Sequence, residues 1–325
     1  VQYANSENRD GIIKSAGVIP FDLNLGSSNF GKLYENQKID FNAEANLKKL
    51  PFLSPYIADL DSAVGKFEIQ LNLSGMNDDF QRSGKIKVED ASLHTLLFSD
   101  PITHINGDAL MIDNVLSINN LKALMYRNES RGNIPLVQNT EITGNLDFNS
   151  FFNPGYDLHV KAEDASFQLL FLDISGVSNL DLKIVGRDTV YVDGKIEAIE
   201  ASVNYEFTTE DIGTIIQNDD KNIFAYKLNI PIVGKSYFKN SQIYAEVFGE
   251  LNLAQVGNQE VDFGGQIIVE DGSVFSYKDN FEQLKGIVSF DNKGFNPDID
   301  VSAQTMIDDE RIDLSMRGGI DDLDI

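Results

Sequence analysis

Apolar and polar residues alternate with a period of two along most of this chain. In 39–47 (IDFNAEANL) the apolar set is Ile39, Phe41, Ala43, Ala45 and Leu47; in 66–75 (KFEIQLNLSG) it is Phe67, Ile69, Leu71 and Leu73. Leu180, Leu182 and Ile184 continue the pattern, as do Ile299, Val301 and Ala303, then Ile312, Leu314 and Met316. The residues between them are mostly Asp, Asn, Glu, Lys, Gln or Ser. Successive side chains of a strand point to opposite faces, so these runs read as strands with one dry and one wet face. Clusters of Gly, Asn and Asp (SGMNDDF, NNL, YRNES, SGVSN, VGRD, AQVGNQ, DNKGFNPD) interrupt the runs and read as turns between antiparallel neighbours. At ~8–10 residues per strand and turn, this predicts ~25 strands. Side by side at ~4.8 Å they make an elongated sheet on the order of 100 Å long. Helical character is confined to two segments. Two prolines limit 49–60 (KLPFLSPYIADL) to a short helix or turn, and Thr209 caps 208–218 (TTEDIGTIIQN) ahead of Glu210 and Asp211. The fold class is all-β with one or two short helices.

A ten-residue unit recurs within this pattern: GKIKVEDASL (84–93), GKIEAIEASV (194–203) and GQIIVEDGSV (265–274), with HVKAEDASF (159–167) as a shorter version. Each joins an alternating strand to an acid (Asp90, Asp164, Glu200, Asp271), a small residue (Ala91, Ala165, Ala201, Gly272) and a serine (Ser92, Ser166, Ser202, Ser273). Repetition of a strand module implies a stacked architecture that works through a long surface. The spacing between copies is uneven, which makes this a degenerate array. The acid–small–serine unit reads as a bulge or corner where the strand bends, its small residue easing a close approach.

A long flat sheet with one oily face aggregates, so that face has to be covered by a second sheet or by curling. Curling places apolar side chains inside and charges outside. The formal net charge of −25 fits such an exterior. It also repels phosphate backbones and anionic membrane surfaces, which excludes nucleic acid as a partner. Hydrophobic residues make up 42% of the chain, enough for an ordered fold, and no apolar run reaches the ~20 residues of a membrane helix. No Pro-, Ser- or Gly-rich linker divides the chain, which reads as one continuous architecture.

Candidate chemistry is sparse. Without cysteine there is no disulfide, thiol nucleophile or thiolate metal site. His94, His104 and His159 lack zinc-binding spacing, and no phosphate loop, dinucleotide fingerprint or nucleophile elbow is present. The acid clusters Asp78–Asp79, Asp219–Asp220, Asp308–Glu310 and Asp321–Asp324 do not follow the ligand spacing of a calcium loop and read as solvated turns. No enzyme activity, cofactor or metal is expected. Three classes of function remain: an apolar conduit, a structural or adhesive array whose acidic turns bind calcium or glycans, and, remotely, a two-carboxylate glycan enzyme.

The last third carries a set of motifs in order: the G-x-I-x-V-E-x-G-x-V run from Gly265 to Val274, Phe281, G-x-V-x-F from Gly286 to Phe290, the strand entry Pro297-Asp298-Ile299-Asp300-Val301, and a final strand ending at Gly318. This stretch, 243–322, resembles the C-terminal domain of the TamB family, within the wider AsmA-like group of bridge-like proteins. Residues 48–75 and the following GKIKVEDASL resemble the family's upstream repeats more loosely. Leu323 follows Asp321–Asp322 where the family often has proline, and the chain reads as an excerpt of a larger envelope protein.

The resemblance implies upstream groove repeats over 1–240 and a C-terminal-type segment over 241–325. It further implies a curled trough with a greasy interior in the periplasm, part of an inner-membrane-anchored protein of a Gram-negative bacterium. Such a trough moves phospholipids between the inner and outer membranes and supports outer-membrane protein assembly with a TamA/BamA-type barrel, to which an end strand pairs by strand addition. The residues expected to line it are Ile86 and Val88, Ile196 and Ala198, Ile267 and Val269, Val288 and Phe290, Ile299 and Val301, and Ile312 and Leu314. An ordinary sandwich core made of the same residues has the same periodicity.

Overall fold

The computed structural model describes residues 2–8, 10–28, 32–34, 36–50, 53, 60–76, 79–96, 98–126, 137–150, 153–169, 173–204, 223–276, 279–294, 296–319 and 322–324. Among them stand seventeen β-strands and no α-helix, so the chain is all-β. The expected helix at 208–218 lies outside the described residues, as does most of 49–60.

The chain divides into two units. The first holds β1 (Gln2–Asn8), β2 (Gly11–Val18), β3 (Lys38–Lys49), β4 (Leu60–Met76), β5 (Asp79–Thr95), β6 (Ile102–Ile112), β7 (Val115–Leu124) and β8 (Thr140–Asp147). Each pairs antiparallel with the next. The division falls within β9 (Gly155–Leu169). The second unit continues with β10 (Ile174–Gly186), β11 (Thr189–Asn204), β12 (Ile223–Lys239), β13 (Ile243–Val256), β14 (Asp262–Ser276), β15 (Asp279–Asp291), β16 (Pro297–Ile307) and β17 (Glu310–Gly319). Here too neighbours are antiparallel, with one exception: β11 and β12 run parallel, Thr189 beside Ile223 and Asn204 beside Lys239. Parallel neighbours need a crossover of roughly a dozen residues or more. Residues 205–222 supply that length.

The strands are longer than the turn spacing suggests; β4, β5 and β12 each run for 17 residues. Two clusters expected to be turns lie inside strands instead. Asn119–Asn120 sits at the register shift between Ile118 and Leu121 of β7, and Ser175–Asn179 spans the shift between Val177 and Ser178 of β10. An extra residue absorbed as a bulge bends a strand without ending it, and Gly and Asn suit bulges as well as turns.

The repeated acid–small–serine unit is such a bulge. Register shifts fall at or opposite it in β5, β11 and β14. In two copies the acid itself takes up the left-handed conformation, with φ of 46° at Asp90 and 47° at Asp164. In both, the bulged N–H donates to an asparagine side chain on the following strand: Asp90 to Asn106 Oδ1 at 2.9 Å and Asp164 to Asn179 Oδ1 at 3.0 Å. The small residue is needed for close approach. Ala91 is 2% exposed, and a Cβ added to Gly65 on the neighbouring strand would lie 2.5 Å from its Cα.

Each unit buries a cluster beside a copy of this bulge. In the first, Leu50, Ala63, Phe67 and Ala91 pack together. In the second, Ala245, Val269, Val274, Phe281, Leu284, Val301 and Ala303 do so, and β14 approaches β16 although β15 lies between them. That approach requires a sharp bend at β15, where Gln283 has φ 55° and the register shifts between Glu282 and Lys285. The sheet curls there toward its apolar face.

Candidate functional site: apolar rows across the strands

Residues opposite one another in register share a face of the sheet, so the pairing turns alternation along each strand into rows across strands. In the first unit one row reads Ile13, Ala45, Ile69, Ile86, Ala109, Ile118 and Gly144 from β2 to β8. The row beside it reads Gly11, Leu47, Phe67, Val88, Gly107, Leu121 and Ile142. On the opposite face the corresponding row is polar: Asn46, Glu68, Lys87, Asp108 and Asn120.

In the second unit a row joins Ser178, Ala198, Ile232, Gly249, Ile267, Val288, Ile299 and Gly318. The next runs through Ser236, Val247, Val269, Gly286, Val301 and Met316. A third connects Ile230, Leu251, Gly265, Phe290 and Pro297. None of the five apolar rows just traced carries a charge over the residues named.

Each residue expected to line a trough therefore falls on the apolar face of its own unit. Ile86 and Val88 stand in adjacent rows of the first. In the second, Ala198, Ile267, Val288 and Ile299 share one row, Val269 and Val301 the next, and Phe290 the third, while Ile196 opposes Leu180. Leu314 opposes Ala303, and Ile312 opposes Thr305. Their accessibility differs. Ala198, Val269 and Val301 are buried; Ile86, Val88, Ile196, Ile267, Val288, Phe290, Ile299 and Leu314 are half-buried; Ile312 is 42% exposed.

The expected set omits β12, whose Leu228, Ile230 and Ile232 join the rows. Their alternation is present in KLNIPIV (227–233), but Pro231 argues against a central strand. Also omitted is Arg82, two residues before Gly84 and hence on the apolar face of β5, where it opposes Leu73. Its Nη1 donates to Asn114 Oδ1 at 3.0 Å and to the Phe148 carbonyl at 2.9 Å, and partial burial lowers its pKa. It ties the β6–β7 turn to the end of β8.

Two further charged groups lie on the other face. Lys66 and Lys87 both donate to the Glu89 carboxylate and hold its pKa down at about 2. In the second unit Lys195, then Asn179, lower the pKa of Glu197 by hydrogen bonding. The histidines join surface polar contacts: His104 Nδ1 lies 2.8 Å from Asp90 Oδ1, His159 Nε2 lies 2.6 Å from Asp181 Oδ1, and His94 Nε2 is 3.4 Å from Ser92 Oγ. Among the described residues no three His, Asp or Glu gather into a metal-binding group.

A β-sheet grown strand by strand, apolar on one face and polar on the other, is the class of architecture these strands define. The family model for the TamB C-terminal domain matches residues 141–325, more than half of the chain, and the chain belongs to the TamB family. The family is a component of the translocation and assembly module of the Gram-negative envelope; it is not an enzyme and acts with an outer-membrane protein partner. No curated protein matches the chain.

Proposed function

We propose that the apolar rows hold phospholipid acyl chains in the periplasm and pass them between the inner and outer membranes. In this reading Ile86, Val88, Ile196, Ala198, Ile267, Val269, Val288, Phe290, Ile299, Val301, Ile312 and Leu314 line the path. The observation that supports it is the continuity of the rows within each unit together with their partial openness: most of these side chains stand in register with apolar neighbours yet stay half-buried. An interlocked sandwich core would bury them. Acyl chains in water cost about 0.8 kcal/mol per exposed methylene. A continuous apolar stripe removes most of that cost while the headgroup remains wet at its margin. Nothing in this mechanism requires catalysis, and the chain acts without enzyme activity, beside a TamA/BamA-type barrel in outer-membrane protein assembly.

Photo-crosslinking side chains at Ile196, Ile267 and Ile299 should capture phospholipid, while the same groups at Lys195 and Asp300, on the opposite face, should not. Equal labelling of the two sets overturns the assignment.

A further inference from the structure

The connection from β2 to β3, residues 19–37, is longer than the ~12–15 residues that ordinary connections take, and connections of that length are often functional. It lies outside the span matched by the family model. Its base is a short antiparallel ladder: Phe21 bridges Leu33, the Asp22 N–H donates to the Lys32 carbonyl at 2.8 Å, and the Tyr34 N–H donates to the Pro20 carbonyl at 2.7 Å. Above this ladder the chain folds around one carboxylate. Asp22 is 7% exposed, shielded by the small loop itself, and its Oδ1 accepts the Asn24 N–H at 2.9 Å. Hydrogen bonds from Ser27, then Asn24 and then Tyr34, lower its pKa. The Gly26 N–H donates to Asn24 Oδ1 at 3.0 Å and the Ser27 N–H to the Asn24 carbonyl at 2.9 Å.

What this scaffold presents outward is apolar. Leu25 is 86% exposed, more than any other large hydrophobic side chain among the described residues, and Leu23 is 72% exposed; Phe21 at the base is 44% exposed. Residues 19–28 (IPFDLNLGSS) contain no charge other than Asp22. In a chain of net charge −25, this segment hides its one acid and offers two leucines among neutral residues.

We infer that this finger inserts Leu23 and Leu25 into the surface of a lipid bilayer. Two features favour a bilayer over a protein partner. A stable protein interface buries about 800 Å² on each partner, far more than two leucines at a loop tip supply. Interfacial insertion needs only a small apolar tip with no exposed acid, because its backbone stays within reach of headgroup water. The hydrogen bonds of Asn24, Gly26 and Ser27 fix the shape of the tip that carries the two leucines. The inference does not depend on acyl chains occupying the rows, which the crosslinking above tests separately in the absence of vesicles.

The chain has no tryptophan, so Leu25→Trp introduces a single fluorescent reporter. With phosphatidylcholine vesicles, whose zwitterionic surface does not repel the acidic chain, its emission should shift to the blue and be quenched by brominated acyl chains. Val233→Trp, at a site 61% exposed on β12, should report neither change. In the otherwise natural chain, Leu23→Ser with Leu25→Ser should lower the vesicle-bound fraction about tenfold or more; both side chains are exposed, so folding is unaffected, which circular dichroism verifies. Emission from Leu25→Trp that does not move at saturating vesicle, or moves equally in Val233→Trp, overturns the inference. So does a shift that requires added envelope protein and is missing with protein-free vesicles.

Discussion

In the first unit the apolar rows cross from β2 to β8 with an antiparallel partner at every step, and among the described residues four gather into a buried cluster at the bulge. In the second unit the rows pass a parallel junction between β11 and β12 and then meet the bend at β15, where seven residues are buried together. The contrast shows how one apolar face serves two purposes. Where strands pair evenly, the face stays half-open. Where a bulge bends the sheet, the same alternation yields a closed core. The division runs between neighbouring rows of the second unit: Ile267, Val288 and Ile299 remain half-buried, whereas Val269 and Val301, one row over, are buried.

The strongest way to break this comparison is to empty each cluster. Phe67 is 4% exposed and Phe281 is 7% exposed, and each packs within the cluster of its own unit. Phe67→Ala and Phe281→Ala should each cost about 3–5 kcal/mol through lost burial and an unfilled cavity. Hydrogen exchange should localise the loss, with Phe67→Ala exposing amides of β3 to β6 and Phe281→Ala those of β13 to β16. Loss of protection spread evenly over both units by either substitution would show that the clusters are not separate.

Much of this was legible in the sequence because period-two alternation is a local property. The face of Ile86, Val88, Ile267 or Val301 follows from parity along its own strand, and Arg82 obeys the same parity. The bulge was legible too, because acid, small residue and serine recur together. Features set by partners distant in sequence were not. Nothing local to β12 announces that it runs parallel to β11, and a proline such as Pro231 is unusual in a strand paired on both sides. Asn119–Asn120 and Ser175–Asn179 look like turns because the residues that suit turns also suit bulges; only the continuing strand beside them decides. The finger at 19–37 is invisible to periodicity, since its order comes from hydrogen bonds around Asp22.

A smaller effect separates two kinds of bulge. At Asp90 and Asp164 the left-handed conformation leaves an N–H that an asparagine on the next strand accepts. Glu200 and Asp271 occupy the same place in the repeat with negative φ. Asn106→Ala and Asn179→Ala should each destabilise by about 1 kcal/mol, the net value of a hydrogen bond in a partly exposed setting. The loss should be read from denaturant midpoints, with faster amide exchange at Asp90 or Asp164 and none at Glu200 or Asp271. Unchanged exchange at the bulged amide would remove the asparagines from the account of how the sheet bends.

The smallest effect concerns the outer face. Glu89 in the first unit is held between Lys66 and Lys87, which draw its pKa from the ordinary 4.5 to about 2, whereas Glu197 in the second has one lysine and an asparagine. A carboxylate whose pKa is depressed on folding stabilises the fold above its unfolded value, and the contribution disappears as pH falls through the folded value. For Glu89 it is complete above 4.5 and gone below about 2. The lysines have raised pKa values and act in the opposite sense, contributing below their ordinary 10.5 and losing that contribution as the solution becomes more alkaline. All three side chains are well exposed, so solvent and salt screen the network and its worth is modest. Glu89→Gln should therefore lower the denaturation midpoint slightly at neutral pH in low salt. The difference from the natural chain should vanish below about pH 2 and shrink in high salt. Glu197→Gln should follow the same direction with a smaller amplitude, and an equal or larger amplitude at Glu197 would show that a second lysine adds nothing to an exposed pair.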